Sequence, residues 1–204
     1  MSRMNAEQRR TQILDCARKL FSENGYHQTQ ISDIQNEAGV ARGTIYQYFE
    51  NKEDLFLTLL ETLYSDWKQM LSVQPENIHE AFNTGFKVFK YKIKQTIDFF
   101  IANPEYCNIL LRVGLGLGGN FDRTLSRFQK QILELVTDYL VKGIKMGRIR
   151  PDIDVDLTGN MIGGALLRVC YHYVVIKNMK DGDSDMLADE FVKVYAVGIF
   201  SEKS

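Results

Sequence analysis

The sequence predicts an all-α protein, and three observations carry that expectation. Apolar residues recur at three- and four-residue spacing through one segment after another, and no sustained strand-like alternation occurs. Only three prolines interrupt 204 residues, and a proline inside a helix removes a hydrogen bond and clashes with the preceding turn. Hydrophobic residues make up 45% of the chain, ample for the core of one large domain or two small ones.

The N-terminal elements follow in order. Ile13, Leu14, Ala17, Leu20 and Phe21 share one face, which places an amphipathic first helix over about residues 5–24. Asn24-Gly25 ends it, because both residues tolerate the left-handed conformation of a helix C-terminus. Ile31, Ile34 and Ala38 mark a short second helix, with Thr29 near its start. Gly39 sits where this pattern meets a third helix at an angle. That third helix sets Ile45 and Phe49 on one side, and Arg42, Thr44, Tyr46, Gln47 and Tyr48 point elsewhere. A helix too short to be a core element alone, with a solvent-facing set of this kind, suits a DNA major groove; the pair and its turn form a helix-turn-helix. Asn51 caps a fourth helix, with Asp54 in its first turn and Leu55, Leu59, Leu63 and Trp67 along it. A head of roughly 50 residues is marginal alone and is expected to pack on the rest of the chain.

The remainder continues the helical pattern. Phe82, Phe86, Phe89, Ile93, Ile97 and Phe100 share one face, opposite Lys87, Lys90, Lys94 and Asp98. Asn103-Pro104 breaks this helix, and a short one follows through Leu111. Phe121, Leu125, Phe128, Ile132, Leu135 and Tyr139 mark a long helix ended at Gly147–Asp152. Residues 155–178 are apolar on most sides, as in a helix buried from several directions. Leu187, Phe191, Val194 and Gly198 mark the last helix.

Net charge is −1, a balance that by itself does not suggest nucleic acid. Residues 1–52 hold seven Lys or Arg against six Asp or Glu, and residues 151–204 hold five against nine. DNA affinity would therefore come from the placement of Arg3, Arg9, Arg10, Arg42 and Lys52, with few phosphate contacts and a modest salt slope. Cys16, Cys107 and Cys170 are scattered and odd in number, which indicates neither a zinc site nor a disulfide framework. Buried structural thiols are the expectation for them, with a redox sensor as the rarer alternative. No stretch approaches the roughly 18 uncharged residues of a membrane span, and no apolar signal segment opens the chain, so a cytosolic protein is expected. Gly114, Gly116, Gly118 and Gly119 lack the preceding strand and following Lys-Ser or Lys-Thr of a phosphate loop, and are expected to form a helix connection. No cofactor or metal is indicated, and no nucleophile, acid–base pair or metal spacing supports an enzyme.

Thr11, Ile13, Ala17, Phe21, Gly25, Thr29, Ile34, Ala38-Gly39-Val40, Gly43-Thr44, Tyr46, Tyr48-Phe49, Lys52 and Leu55 fall in the order and spacing of the tetracycline-repressor-like (TetR) family. The resemblance covers residues 11–55 and is specific. It departs at Ala41, where the family often has a Ser that caps the recognition helix and reaches a phosphate; loss of such a cap is typically worth ~1 kcal/mol. The resemblance implies a helix-turn-helix DNA-binding head over residues 1–52 and a helical ligand-binding and dimerisation body over 53–204. It implies a ligand-responsive regulator that binds a palindromic operator as a homodimer and is released by a small effector. The alternative is a DNA-binding protein of the same fold that localises a protein partner and has no effector.

In the head, the Arg42 fork can meet guanine O6 and N7 together, Gln47 can read adenine, and Thr44 can touch a thymine methyl. Gly43 lets the backbone approach DNA, and Ala41 stands at the helix start. Tyr46 and Tyr48 resemble the family's phosphate-contacting tyrosines; Lys52 and Thr29 are expected at phosphates. In the body, Phe86, Phe89 and Phe128 are candidate pocket lining. Arg112, Arg168 and His172 are candidate anchors, because a charge among apolar residues needs a partner. A carboxylate or acyl-coenzyme A effector fits such anchors, and a flat cationic drug fits an aromatic lining. Gly159, Gly163 and Gly164 let another helix approach closely. With Phe191, Val194 and Gly198, Gly159 and Gly163 are candidates for the dimer interface that the family builds from its last two helices; packing within one chain is the alternative.

Overall fold

A computed structural model of the chain describes residues 4–72, 85–113, 119–180 and 183–199, and every regular element among them is helical. The elements are α1 (Ala6–Gln28), α2 (Ile31–Ala38), α3 (Arg42–Tyr46), α4 (Lys52–Ser72) and α5 (Gly85–Ala102). After them, α6 (Pro104–Asn108) runs into a π-helical turn, Ile109–Val113. Then come α7 (Gly119–Lys145), α8 (Val155–Cys170) with a second π-helical segment, Tyr171–Ile176, and α9 (Ser184–Ile199). Phe82 and the glycines at 114, 116 and 118 lie outside the described residues. The chain divides into two compact units, Met1–Ser65 with Glu105–Thr124, and Asp66–Pro104 with Leu125–Ser204.

In the first unit, α1 opens on a reciprocal cap: Gln8 N donates to Asn5 Oδ1 at 2.8 Å and Asn5 N donates to Gln8 Oε1 at 3.0 Å. Its regular backbone is interrupted at Gly25, where φ is 81° and ψ is 168°. The helix thus breaks at the Asn24-Gly25 pair, and a last turn runs on to Gln28. Ile13, Ala17, Phe21, Ile34, Ile45, Phe49, Leu55, Phe56 and Leu59 form the core. Phe21 meets Phe56 edge to face at 5.0 Å, and Tyr26 meets Phe121 at 4.7 Å. Asn108 Nδ2 donates to Ser22 O at 2.8 Å, a buried bond across 86 residues of sequence. Residues 105–124 therefore complete this core, and the packing unit is larger than residues 1–52.

In the second unit, α5 packs on α9, and Ile97 on the first helix and Leu187, Phe191 and Val192 on the second are buried. Lys90 pairs with Asp189 at 2.7 Å, and Lys94 Nζ donates to Ser184 Oγ at 3.0 Å, so the rim of this contact is polar. α7 ends as expected at Gly147, whose φ is 68°, and Arg148 N donates to Gly143 O at 2.9 Å. Asp154 caps α8 by accepting from Leu157 N at 2.9 Å. α8 is not covered on every side: Leu157 is 59% and Met161 56% exposed, and with Gly164 and Arg168 they form one open stripe at helical spacing.

Candidate DNA-binding surface and effector cavity

The turn between α2 and α3 is made by Gly39, held in the left-handed region at φ 62°, ψ 36°. Its N–H donates to Asn36 O at 3.2 Å, and Val40 N donates to Gln35 O at 3.1 Å, which satisfies the carbonyls at the end of α2. A side chain at Gly39 meets no atom within 4 Å, so the requirement for glycine is conformational. α1 braces the same point: Gln12 Nε2 donates to Ala38 O at 3.0 Å, and Lys19 pairs with Glu37 at 2.6 Å.

α3 is five residues long and holds to the core through Ile45, with Phe49 buried just beyond it. Arg42, Gly43, Tyr46 and Gln47 are exposed, and Thr44 and Tyr48 are half-buried. The Arg42 guanidinium lies 5.9 Å from the Tyr46 ring centre, so the two form one projecting edge. Ala41 stands at the N-cap with no side chain to close the helix. One turn further, Asn51 Oδ1 accepts from Asp54 N and Asp54 Oδ2 accepts from Glu50 N, both at 2.9 Å. That cap fixes the start of α4 where the sequence places it.

Two expected phosphate contacts are placed otherwise. Thr29 is fully buried, and its hydroxyl bonds inside the protein, at 2.8 Å from Gly25 O and 3.2 Å from Leu20 O. Lys52 donates to Tyr26 O at 2.9 Å and Thr29 O at 3.0 Å and sits 4.3 Å from the Tyr26 ring centre. Burial pushes its pKa below the ordinary lysine value. The pair locks the α1–α2 junction, and at most one Lys52 hydrogen faces outward. Nothing local foretells this, because the partners stand 23 and 26 residues away.

The second unit contains a partly open cavity of about 200 Å³, walled by α4, α5, α7 and α8. Trp67, Leu71, Phe89, Lys92, Tyr139 and Leu166 are among its lining residues. Phe89 stacks on Tyr139 at 5.9 Å, and burial pushes the Tyr139 phenol up. Of the four expected ligand residues whose side chains are described, Phe89 alone is among those lining this space. Phe86 is half-buried away from it. Arg168 is exposed on the open stripe of α8, 5.7 Å from the Tyr171 ring centre, where its charge keeps its water. His172 packs edge to face on Tyr173 at 5.1 Å. The side chains of Arg112 and Phe128 lie outside the described residues. The sequence reading misses Lys92; the signal that could find it is its spacing, three residues after Phe89 and four before Thr96, on the apolar face of α5.

The glycines of α8 divide by role. A Cβ on Gly159 would meet Leu133 and Thr137 of α7 at 3.0 Å, so this residue serves close packing within the chain. Gly163 lines the cavity. Phe191 is buried in its own unit, whereas Val194 is 76% exposed; Gly198 lies in α9 with its surroundings outside the described residues. The Tyr195 hydroxyl donates to Met161 O at 3.3 Å, which joins the open faces of α8 and α9. Cys107 and Cys170 are buried thiols, and burial pushes the Cys107 thiol up to about 12.

A braced helix-turn-helix with an exposed recognition edge, on an all-helical chain whose second unit holds an apolar cavity, defines a DNA-binding transcriptional regulator. The chain belongs to the tetR family of bacterial regulatory proteins, whose pattern residues 13–59 match. It is 31% identical over 178 residues to the fatty acid metabolism regulator protein of Bacillus subtilis (strain 168), covering 87% of each chain. Among solved structures it is similar to the transcriptional regulator FadR from Bacillus subtilis in complex with stearoyl-CoA. There the TM-score is 0.75 at 26% identity, over 90% of this chain and 96% of that one. A TetR-family regulator from Syntrophomonas wolfei str. Goettingen gives a TM-score of 0.77 at 28% identity, over 95% and 97% of the two chains.

Proposed function

We propose that the protein is a repressor that binds a palindromic operator as a two-fold dimer and leaves it when an acyl-coenzyme A fills the cavity of its second unit. The observation that carries the reading is an exposed recognition helix in the same chain as an apolar cavity. That cavity favours an effector-gated protein over one that only localises a partner. A stearoyl-CoA complex in a solved relative supports an acyl effector. So does the wall itself, which is almost wholly apolar and suits a hydrocarbon chain. The protein acts by binding rather than by catalysis, and in the cytoplasm, where the operator lies. No helix among the described residues is long and apolar enough to cross a membrane.

In this reading Arg42 reads a guanine, with Gln47 and Thr44 on neighbouring bases and the backbone at Ala41-Arg42-Gly43 close to the DNA. Tyr46 and Tyr48 hold phosphates, and the remaining Lys52 hydrogen adds charge. Dimerisation uses the open stripe of Leu157, Met161 and Gly164 with Val194, not Gly159 or Phe191, and a two-fold axis sets half-sites about 34 Å apart. A coupling of about 1–3 kcal/mol between effector and operator changes DNA affinity roughly 5- to 150-fold.

The test is fluorescence anisotropy on a duplex from the region upstream of the gene, titrated with stearoyl-CoA. Release of the duplex is expected. Tight binding that neither stearoyl-CoA nor a small-molecule extract of the host disturbs would overturn the effector half of the reading and leave the partner-localising alternative.

A further inference from the structure

Thr29 and Lys52 stand immediately before and after residues 30–51, the segment that holds α2, the turn and α3. The two ends of that segment are pinned to each other, because Lys52 Nζ donates to Thr29 O at 3.0 Å. A second bond runs from Lys52 Nζ to Tyr26 O at 2.9 Å, and the ammonium lies 4.3 Å from the Tyr26 ring centre. Two carbonyls and an aromatic face therefore hold this cation.

The place of the cation is explained by α1 rather than by α4. Lys52 is the first residue of α4, where a positive charge opposes the helix dipole. Its hydrogens reach instead the end of α1, whose last carbonyls have no partner within the helix. Gly25 O and Leu20 O accept from the Thr29 hydroxyl at 2.8 and 3.2 Å, and Tyr26 O and Thr29 O accept from Lys52. Tyr26 is itself held by Phe56 at 5.1 Å and Phe121 at 4.7 Å, all within the first unit. The clasp thus joins the aromatic core to the start of α4 and closes the helix-turn-helix between them.

We propose that Lys52 is a positioning residue for operator recognition: by clasping both ends of residues 30–51 it fixes the pose of α3 and acts through the side chains that α3 presents to the bases. This rests on α3 as the base-reading helix. With two of its three hydrogens held inside the protein, charge at the DNA surface is the smaller part of its work. Without the clasp, Arg42, Thr44 and Gln47 remain on α3, but the helix is free to take several poses. Only the pose matched to the base edges discriminates sequence. Attraction to phosphates needs no such match. The loss therefore falls on the operator, whereas loss of a phosphate contact weakens binding to all sequences alike.

The experiment compares the full chain with Lys52→Met, which keeps the stem and removes the donors. Anisotropy is measured on the upstream duplex and on a scrambled duplex across a salt series, and both proteins are melted to confirm folding. A loss of about tenfold or more on the operator is expected, with a much smaller loss on the scrambled duplex and a salt slope changed by less than about one. An equal loss on both duplexes, with the slope reduced by about one, assigns Lys52 to a phosphate and overturns the proposal. Unchanged binding to both duplexes overturns it as well. If Lys52→Met does not fold, nitrogen NMR of the wild type decides. Lys52 ammonium hydrogens that exchange slowly with water, in the free protein and on the operator, support the clasp; rapid exchange in the free protein overturns it. A wild type that binds the two duplexes equally overturns the base-reading role of α3, and the proposal with it.

Discussion

The recognition helix and the cavity wall are both built from short apolar motifs carrying a few polar side chains, yet they work in opposite directions. α3 is held by Ile45 and Phe49 and turns Arg42, Tyr46 and Gln47 outward. α5 sets Phe89, Ile93 and half-buried Lys92 among the residues that line the cavity. The first surface meets a hydrated polyanion, so its charges cost nothing until DNA arrives. The second is an almost wholly apolar space between helices. A DNA-reading surface is thus specified by one helix and its turn, whereas an effector site is specified by which four helices meet.

The largest test removes the base of the first surface. Phe21 is fully buried against Phe56 and Tyr26, so Phe21→Ala is expected to cost about 3–5 kcal/mol, read as a lowered midpoint in denaturant unfolding. A change under 1 kcal/mol would mean that this aromatic cluster does not hold the helix-turn-helix unit.

Next comes the reading edge. Arg42→Ala is expected to lose about 1–3 kcal/mol of discrimination at one base pair, measured as the ratio of affinities for the operator and its single-base variants. An equal loss on every sequence would reassign Arg42 to the phosphate backbone.

A third change restores what α3 lacks. Ala41 occupies an N-cap with no side-chain bond, and Ala41→Ser is expected to stabilise the protein by roughly 1 kcal/mol in thermal melts and to tighten operator binding a few-fold. Unchanged stability would show that the cap position is already satisfied by water.

The smallest effect has opposite signs in the two readouts. A Cβ on Gly163 meets nothing within 4 Å and enters the cavity. Gly163→Ala is therefore expected to gain about 0.5–1 kcal/mol of helix stability while weakening stearoyl-CoA binding in calorimetry. Weaker stability together with unchanged effector binding would remove Gly163 from the cavity wall.

The two regions also differ in how far the sequence reveals them. The Asn24-Gly25 break, the left-handed Gly39, the Asn51 cap and the buried Ile45 and Phe49 all depend on neighbours within a few residues. Thr29 and Lys52 belong to the same stretch but were placed at phosphates, because their partners are a tight turn and a helix end more than twenty residues distant from Lys52. In the body, Arg168 and His172 stood out as polar residues in an apolar run, yet α8 has an open side and Arg168 occupies it. Lys92 resembled its neighbours Lys90 and Lys94, which pair with acidic residues at the rim.

By itself the sequence determined the helical class, the position of the turn, the residues that α3 exposes and the family. Each of these follows from periodicity, capping chemistry and backbone preference over a few residues. Tertiary structure alone decided that residues 105–124 complete the first core, that Gly159 packs on α7, and that Trp67 and Lys92 share a cavity with Phe89 and Leu166. Those outcomes depend on close approach between helices far apart in the chain, and a helix's own spacing says which of its residues share a face but not what that face will meet.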